Sequence, residues 1–243
     1  MLRGIYIAGS GMLAESVRQE VVANNLANAL TTGYKRTDVA TEPFGQFLLR
    51  NMAMPGQAEI GTTNMGNQIS RLDVIAAQGP LRSTGNSLDL ALVGDGWFAV
   101  DAPGGVRYTR DGSFSIDATG TLVTKEGWTV RGENGPIRVD RSTPVGIGQD
   151  GSVTQGGQLV GRLTITALDP ASLAKEGDNL VNGTPGGQAT ARVRQGFLEG
   201  STVNVVSEMV ELIRVMRSFE ANQKAVQAHD ETLGQAITRV GVV

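Results

Sequence analysis

Two stretches of this chain carry the residue types and spacing that could bind a dinucleotide. Gly146-Ile147-Gly148-Gln149-Asp150-Gly151 matches the glycine fingerprint, and Gly94-Asp95-Gly96-Trp97-Phe98-Ala99 matches its alanine-ended form. That chemistry needs a strand before the glycines and a helix after them, so that pyrophosphate meets the helix's free N–H groups. Ser152-Val153-Thr154 and Val100-Asp101-Ala102-Pro103 follow instead, and neither reads as helix. Both motifs are expected as hairpin turns. Asp111, Ser113, Ser115 and Asp117 alternate like oxygen ligands, but the glycine and distal glutamate of a calcium-binding loop are missing. A turn and a polar strand face are expected there. Asn182-Gly183-Thr184 fits a glycosylation acceptor, a pattern too short to carry weight. No serine sits in a nucleophile elbow, and His229 is the single histidine, so a hydrolase triad has one possible base. Set among Gln227, Asp230 and Glu231, His229 is expected in solvent. With no cysteine either, thiolate and multi-histidine metal sites are excluded. The sequence assigns no catalytic residue, no cofactor and no metal, and an enzyme is not expected.

Spacing does say something about assembly. Val205, Met209, Leu212, Met216, Phe219, Gln223, Val226, Asp230, Leu233, Ile237 and Val240 lie alternately four and three apart. An apolar residue every 3.5 positions draws one seam along a helix and makes it wind around a partner. Gln223 and Asp230 are the polar exceptions. The seam outlasts an ordinary core helix of 8 to 20 residues.

Composition narrows the class further. The 243 residues suffice for one large or two smaller domains. A net charge of −3 advertises no basic field for nucleic acid or anionic lipid. Absence of cysteine suits passage through an oxidising compartment. The 33 glycines exceed the roughly 7% of average usage, which fits many tight turns around a modest core. No run of 18 apolar residues exists to span a membrane. Met1-Leu2-Arg3-Gly4-Ile5-Tyr6-Ile7 faintly imitates a signal peptide, but Gly9-Ser10-Gly11 cuts it and no convincing cleavage site follows. It is expected to remain uncleaved.

The elements that would position these features follow from periodicity. Residues 3–29 read as helix, with Leu2, Ile5, Gly9, Met12, Leu13, Val17 and Val21 at three- or four-residue spacing. Gly9 and Gly11 each cost about 1 kcal/mol of helix propensity, which close approach of a neighbouring backbone would offset. Thr31-Thr32-Gly33 should stop the helix on a left-handed glycine. Residues 34–80 lack a sustained period and read as an extended connector, with a strand around 68–72. From Leu88 to Thr166 the period becomes two. Short strand candidates there (106–109, 114–117, 122–124, 128–131, 137–139 and 163–166) are separated by glycine turn pairs such as Asp111-Gly112 and Asn134-Gly135. A last strand over 191–194 leads into the terminal helix. The expected fold is α+β: residues 1–33 and 201–243 form a helical coiled-coil domain, 34–80 the connector, and 81–200 an antiparallel β-domain, either sandwich or open barrel. Both helical ends can meet on one side of the β-domain.

Three blocks of residues make the chain recognisable. Val22-Ala23-Asn24-Asn25-Leu26-Ala27-Asn28-Ala29-Leu30-Thr31-Thr32-Gly33-Tyr34-Lys35 resembles the N-terminal signature of bacterial flagellar rod and hook proteins. Leu88 to Phe98, followed by Tyr108-Thr109-Arg110-Asp111-Gly112-Ser113-Phe114, resembles the core of their β-domain. Gly196 to Val206, with Glu208-Met209-Val210 and Arg217-Ser218-Phe219-Glu220, resembles their C-terminal block. The likeness covers nearly the whole chain. Within the family, the length fits the two rod types with one β-domain, and Gly132 to Ile137 and Leu198 to Ser201 look more like the proximal type than the distal. The resemblance implies a structural subunit, exported unfolded through the flagellar export apparatus without a cleaved signal. It would polymerise helically in the periplasm into a hollow drive shaft, with copies of itself and other rod proteins as partners. The terminal helices would line the channel and the β-domain would lie outside. The candidate assembly interface is Leu2, Ile5, Gly9, Met12, Val17, Asn24, Asn25 and Asn28 on the first helix. On the last it is Val205, Met209, Leu212, Met216, Phe219, Val226, Leu233 and Ile237. Nucleic acid and integral membrane insertion are not expected. The alternative from another class, a secreted β-rich adhesin or binding module, would need a clustered aromatic face, whereas Trp97 and Trp128 read as strand core.

Overall fold

The computed structural model describes residues 2–43, 46–50, 59–64, 66–177 and 179–240. For residues 2–3, 46–50, 59–64, 188 and 239–240 the description covers the backbone alone. The architecture is α+β, with a helix near each end and antiparallel strands between. Two compact units result: residues 1–26, 38–72 and 205–243 form the helical unit, and 27–37 with 73–204 form the β unit.

The helical unit holds α1 (Leu2–Ala27) and α2 (Val205–Val240). At 36 residues α2 is about 54 Å long, far beyond a single-domain helix of average length. In the stretch between them, the strand Thr37–Pro43 pairs with Asn67–Val74, and Gln46–Arg50 pairs antiparallel with Glu59–Asn64. The expected strand at 68–72 thus lies within Asn67–Val74, and the rest of the connector region holds strands that the missing period did not announce.

In the β unit, ten strands of the described residues join one antiparallel sheet. Its central strand, Trp97–Ala102, pairs with Gly105–Thr109, Thr129–Gly132 and Ile165–Leu168. Phe98 and Val100 pack into one apolar cluster with Leu90, Leu122, Val130 and Val193. Trp97 and Ala99 enter a second with Tyr108, Leu168 and Val181. Burial on both faces explains why Trp97-Phe98-Ala99-Val100 reads as a continuous apolar run rather than an alternation. Phe98 and Phe114 meet edge to face at 5.1 Å, a preferred aromatic geometry.

Three expectations change here. Asp111-Gly112 does not close a hairpin. Leu90 N–H and Phe114 N–H both donate to the Gly112 carbonyl at 3.0 Å, and a Cβ on Gly112 would overlap the Leu90 carbonyl. The glycine there serves close backbone approach, not a turn angle. Residues 137–139 are not a strand: Ile137 and Val139 are buried and bond to Leu122 and Gly120, with one isolated bridge at Arg138. α1 ends at Ala27, six residues before Gly33, so the helix stops earlier than expected and Gly33 takes its φ of +67° in the turns that follow. A Cβ on it would also overlap the backbone of Asp111, so two independent demands fix glycine at this position.

Candidate functional site

Neither glycine fingerprint opens a helix; Trp97–Ala102 follows one and Ser152–Gln155 the other, both strands. Asp111 spends its carboxylate on Ser113, and Asp117 spends its own on Thr119 and Thr121, each closing a local turn. Those hydrogen bonds hold the Asp117 carboxyl below the usual carboxylate range, the Thr121 amide contributing most. Among the described residues no group of acidic and histidine side chains is arranged to hold a metal.

The unusual chemistry lies elsewhere, in a buried ionic cluster of the β unit. Lys35 follows the left-handed Gly33, Arg110 follows the strand Gly105–Thr109, and Glu199 ends the strand Phe197–Glu199. Their exposures are 1%, 3% and 1%. Lys35 Nζ donates to Glu199 Oε1 and to the Ala77 carbonyl, both at 2.5 Å. Arg110 donates to Glu199 Oε2 at 3.0 Å and to the Gly94 carbonyl at 2.7 Å. The Gly79 N–H gives the Glu199 carboxylate a third donor, to Oε1 at 2.7 Å. Trp97 lies beside the guanidinium, 5.4 Å from Arg110 Cζ to the ring centroid.

The surrounding backbone is tied at the same place. Gly33 N–H donates to the Glu199 carbonyl at 2.8 Å, and Thr202 N–H to the Tyr34 carbonyl at 3.1 Å. The chain just after α1 and the chain just before α2 are thereby tied to each other, backbone to backbone, beside the buried cluster. Two cations share one anion, so burial holds the Lys35 ammonium below its usual pKa despite the attraction of Glu199, and Arg110 adds to the lowering. Such a cluster contributes little net stability against an apolar isostere, but removing one partner typically costs 3–5 kcal/mol. Close by, the Lys175 ammonium stands 3.6 Å from the Tyr34 ring centroid with no hydrogen-bond acceptor. Burial pushes its pKa down to about 8, against the pull of the ring face.

Sequence reasoning did not single out this cluster. Separations of 75 and 89 residues leave no local pattern. The available signal was that Lys35, Arg110 and Glu199 each fall in one of the three recognisable blocks.

In the helical unit, α1 and α2 run antiparallel in a seven-residue register. Asn25 Nδ2 donates to Glu208 Oε2 at 3.3 Å. A Cβ on Gly11 would lie 2.9 Å from Asn222 Nδ2, and one on Gly4 would overlap the His229 ring. His229 is therefore not in bulk solvent as its polar neighbours suggested. It is half-buried against a glycine that makes room for it. Gly9, by contrast, faces open space, so close approach accounts for Gly11 and not for Gly9.

The inward line along α2 is Glu208, Leu212, Val215, Phe219, Asn222, Val226, His229, Leu233 and Ala236, all buried or half-buried. It shares Leu212, Phe219, Val226 and Leu233 with the sequence-based seam. The seam's other described positions point away: Val205, Met209, Met216 and Ile237 are 37, 48, 46 and 70% exposed, and Gln223 and Asp230 are exposed too, while the side chain of Val240 lies outside the described residues. Val206, Val210 and Ile213 extend that outer face at 71, 62 and 53%. Hydrophobicity alone selects the outer line, because inside the unit polar Asn25 faces Glu208 and small glycines face bulky polar rings and amides.

On α1, Ile5, Met12 and Val17 are half-buried, Asn24 is exposed, Asn25 is buried, and Asn28 is half-buried and accepts from Thr31 Oγ1 at 3.1 Å. The side chain of Leu2 lies outside the described residues. Among the described helices none is long and apolar enough to cross a membrane.

Comparison with known proteins accounts for all three blocks. The model described as flagella basal body rod protein matches residues 5–35, the flagellar hook protein FlgE/F/G D1 domain matches 91–155, and the flagellar basal body rod FlgEFG protein C-terminal model matches 194–239. The chain is 35% identical to the flagellar basal-body rod protein FlgG of Bacillus subtilis, covering 98% of each. It is 36% identical to the rod protein FlgF of Caulobacter vibrioides over the full length of both. To the flagellar hook-basal body complex protein FlhO of Bacillus subtilis it is 30% identical, again over both full lengths. These relatives are structural proteins and not enzymes, and the chain belongs to the flagellar basal-body rod protein family.

Proposed function

We propose that this chain is a structural subunit of the flagellar basal-body rod, of the proximal type, which polymerises helically in the periplasm into the hollow drive shaft. In this reading it reaches the periplasm unfolded through the flagellar export apparatus, without a cleaved signal, and meets copies of itself and other rod proteins. The antiparallel pair α1–α2 acts as a coiled-coil element of the inner layer. The observation that carries the reading is the outer apolar face of α2 from Val205 to Met216, which the chain's own α1 leaves uncovered. Covering such a face on a neighbour by a contact that does not close on itself gives a filament. The distal type stays as the second reading, because identities of 35% to a FlgG and 36% to a FlgF do not separate them.

Deleting the gene and imaging basal bodies tests both levels. A rod stub that stops short and lacks a hook is expected, shorter for the proximal type than for the distal. Cells that swim with complete rods would overturn the reading.

A further inference from the structure

The buried cluster has one acceptor and several donors, and they arrive at different times along the chain. Lys35, Gly79 N–H and Arg110 all end on the carboxylate of Glu199, 164, 120 and 89 residues away. Before residue 199 joins, two cations and an amide would sit in a site closed to water with no anion, which protein interiors do not tolerate. The same late segment supplies the pairing of Arg192–Gln195 to Leu90–Val93 and of Phe197–Glu199 to Leu81–Ser83. It also delivers Val193, 2% exposed, to the main core.

From this convergence we propose that Glu199 gates closure of the β unit: residues 27–37 and 73–190 of that unit stay open until the segment around Glu199 docks, so the unit folds in one step with its C-terminal strands. The cluster then sets folding order more than stability. A chain delivered up to residue 190 remains unfolded, and the two entry points at Tyr34 and Thr202 become fixed in the same event as the core. This concerns the isolated subunit and does not rest on the rod reading.

Pulse-labelling hydrogen exchange during refolding of the full chain tests it. The amides of Trp97–Ala102 and of 192–199 should gain protection in one kinetic phase. Protection of Trp97–Ala102 while 192–199 still exchanges freely would overturn the proposal. In full-length Glu199→Gln, native protection at Trp97–Ala102 should fall by about a hundredfold or more, together with that of 197–199. A loss confined to 197–199 would likewise overturn it. If that variant does not fold, the wild-type labelling order decides alone.

Discussion

In the β unit Leu90, Leu92, Phe98 and Val100 have no solvent exposure, whereas along α2 Val206, Val210 and Ile213 stand more than half exposed. Both regions are equally apolar at these positions, so hydrophobicity does not explain the contrast. The β unit closes its sheet over two apolar clusters and even buries an ion trio whose two cations both donate to Glu199. The helical unit opposes glycine and asparagine on α1 to histidine, asparagine and glutamate on α2, and turns its most apolar line outward. A unit that leaves Val205, Val206, Met209, Val210, Ile213 and Met216 exposed along one helix face is unfinished by itself, in the sense that exposed contiguous apolar surface marks an interaction site.

The largest expected effect falls in the finished unit. Glu199→Ala leaves Lys35 and Arg110 buried without their anion and should destabilise the β unit by about 3–5 kcal/mol in chemical denaturation. A cost below about 1 kcal/mol would mean that water reaches the cluster.

Next come the glycines of α1, which sharpen the contrast within one helix. Gly9→Ala meets open space and should stabilise the helical unit by about 0.5–1 kcal/mol. Gly11→Ala must displace the Asn222 side chain and Gly4→Ala the His229 ring, so neither should show that gain in thermal unfolding. If Gly9→Ala stabilises the subunit yet blocks rod growth, Gly9 faces a neighbour in the assembly.

Much of this was legible beforehand, for identifiable reasons. The helices announced themselves by period and the paired strands by turn glycines, because these are local demands, whereas α1 ends at Ala27, short of the Gly33 expected to stop it. The phase of α2 was half legible. Leu212, Phe219, Val226 and Leu233 serve both lines, while His229 turns inward because α1 offers Gly4 opposite it. The ionic cluster was illegible as a site because its three charges meet only through the folded sheet. Gly112 was misread as a turn residue since sequence cannot distinguish a glycine needed for its φ from one needed for a close contact.

A smaller effect concerns pH. The Lys175 pKa is lowered by burial to about 8 from its ordinary value of 10.5, so between those values the unfolded chain binds more protons than the folded one. Stability of the β unit should therefore rise as pH climbs from about 8 towards 10.5. Lys175→Met should flatten that rise, measured as denaturation midpoints against pH. An unchanged slope would show that the Tyr34 ring holds the ammonium charged.

The smallest effect on the subunit is expected to be the most consequential for the rod. Met216, 46% exposed on the outer line of α2, and Leu212, half-buried on the shared line, lie four residues apart. Met216→Asp should change subunit stability by no more than about 0.5 kcal/mol, as surface substitutions do, whereas Leu212→Asp should weaken the α1–α2 pair itself. The direct test is to express Met216→Asp in cells lacking the native gene, confirm by circular dichroism that the purified subunit keeps its helix content, and image the basal bodies. The outer face of α2 as the subunit contact predicts normal helicity with no completed rod and no swimming. Complete rods and motile cells built from Met216→Asp subunits would contradict it.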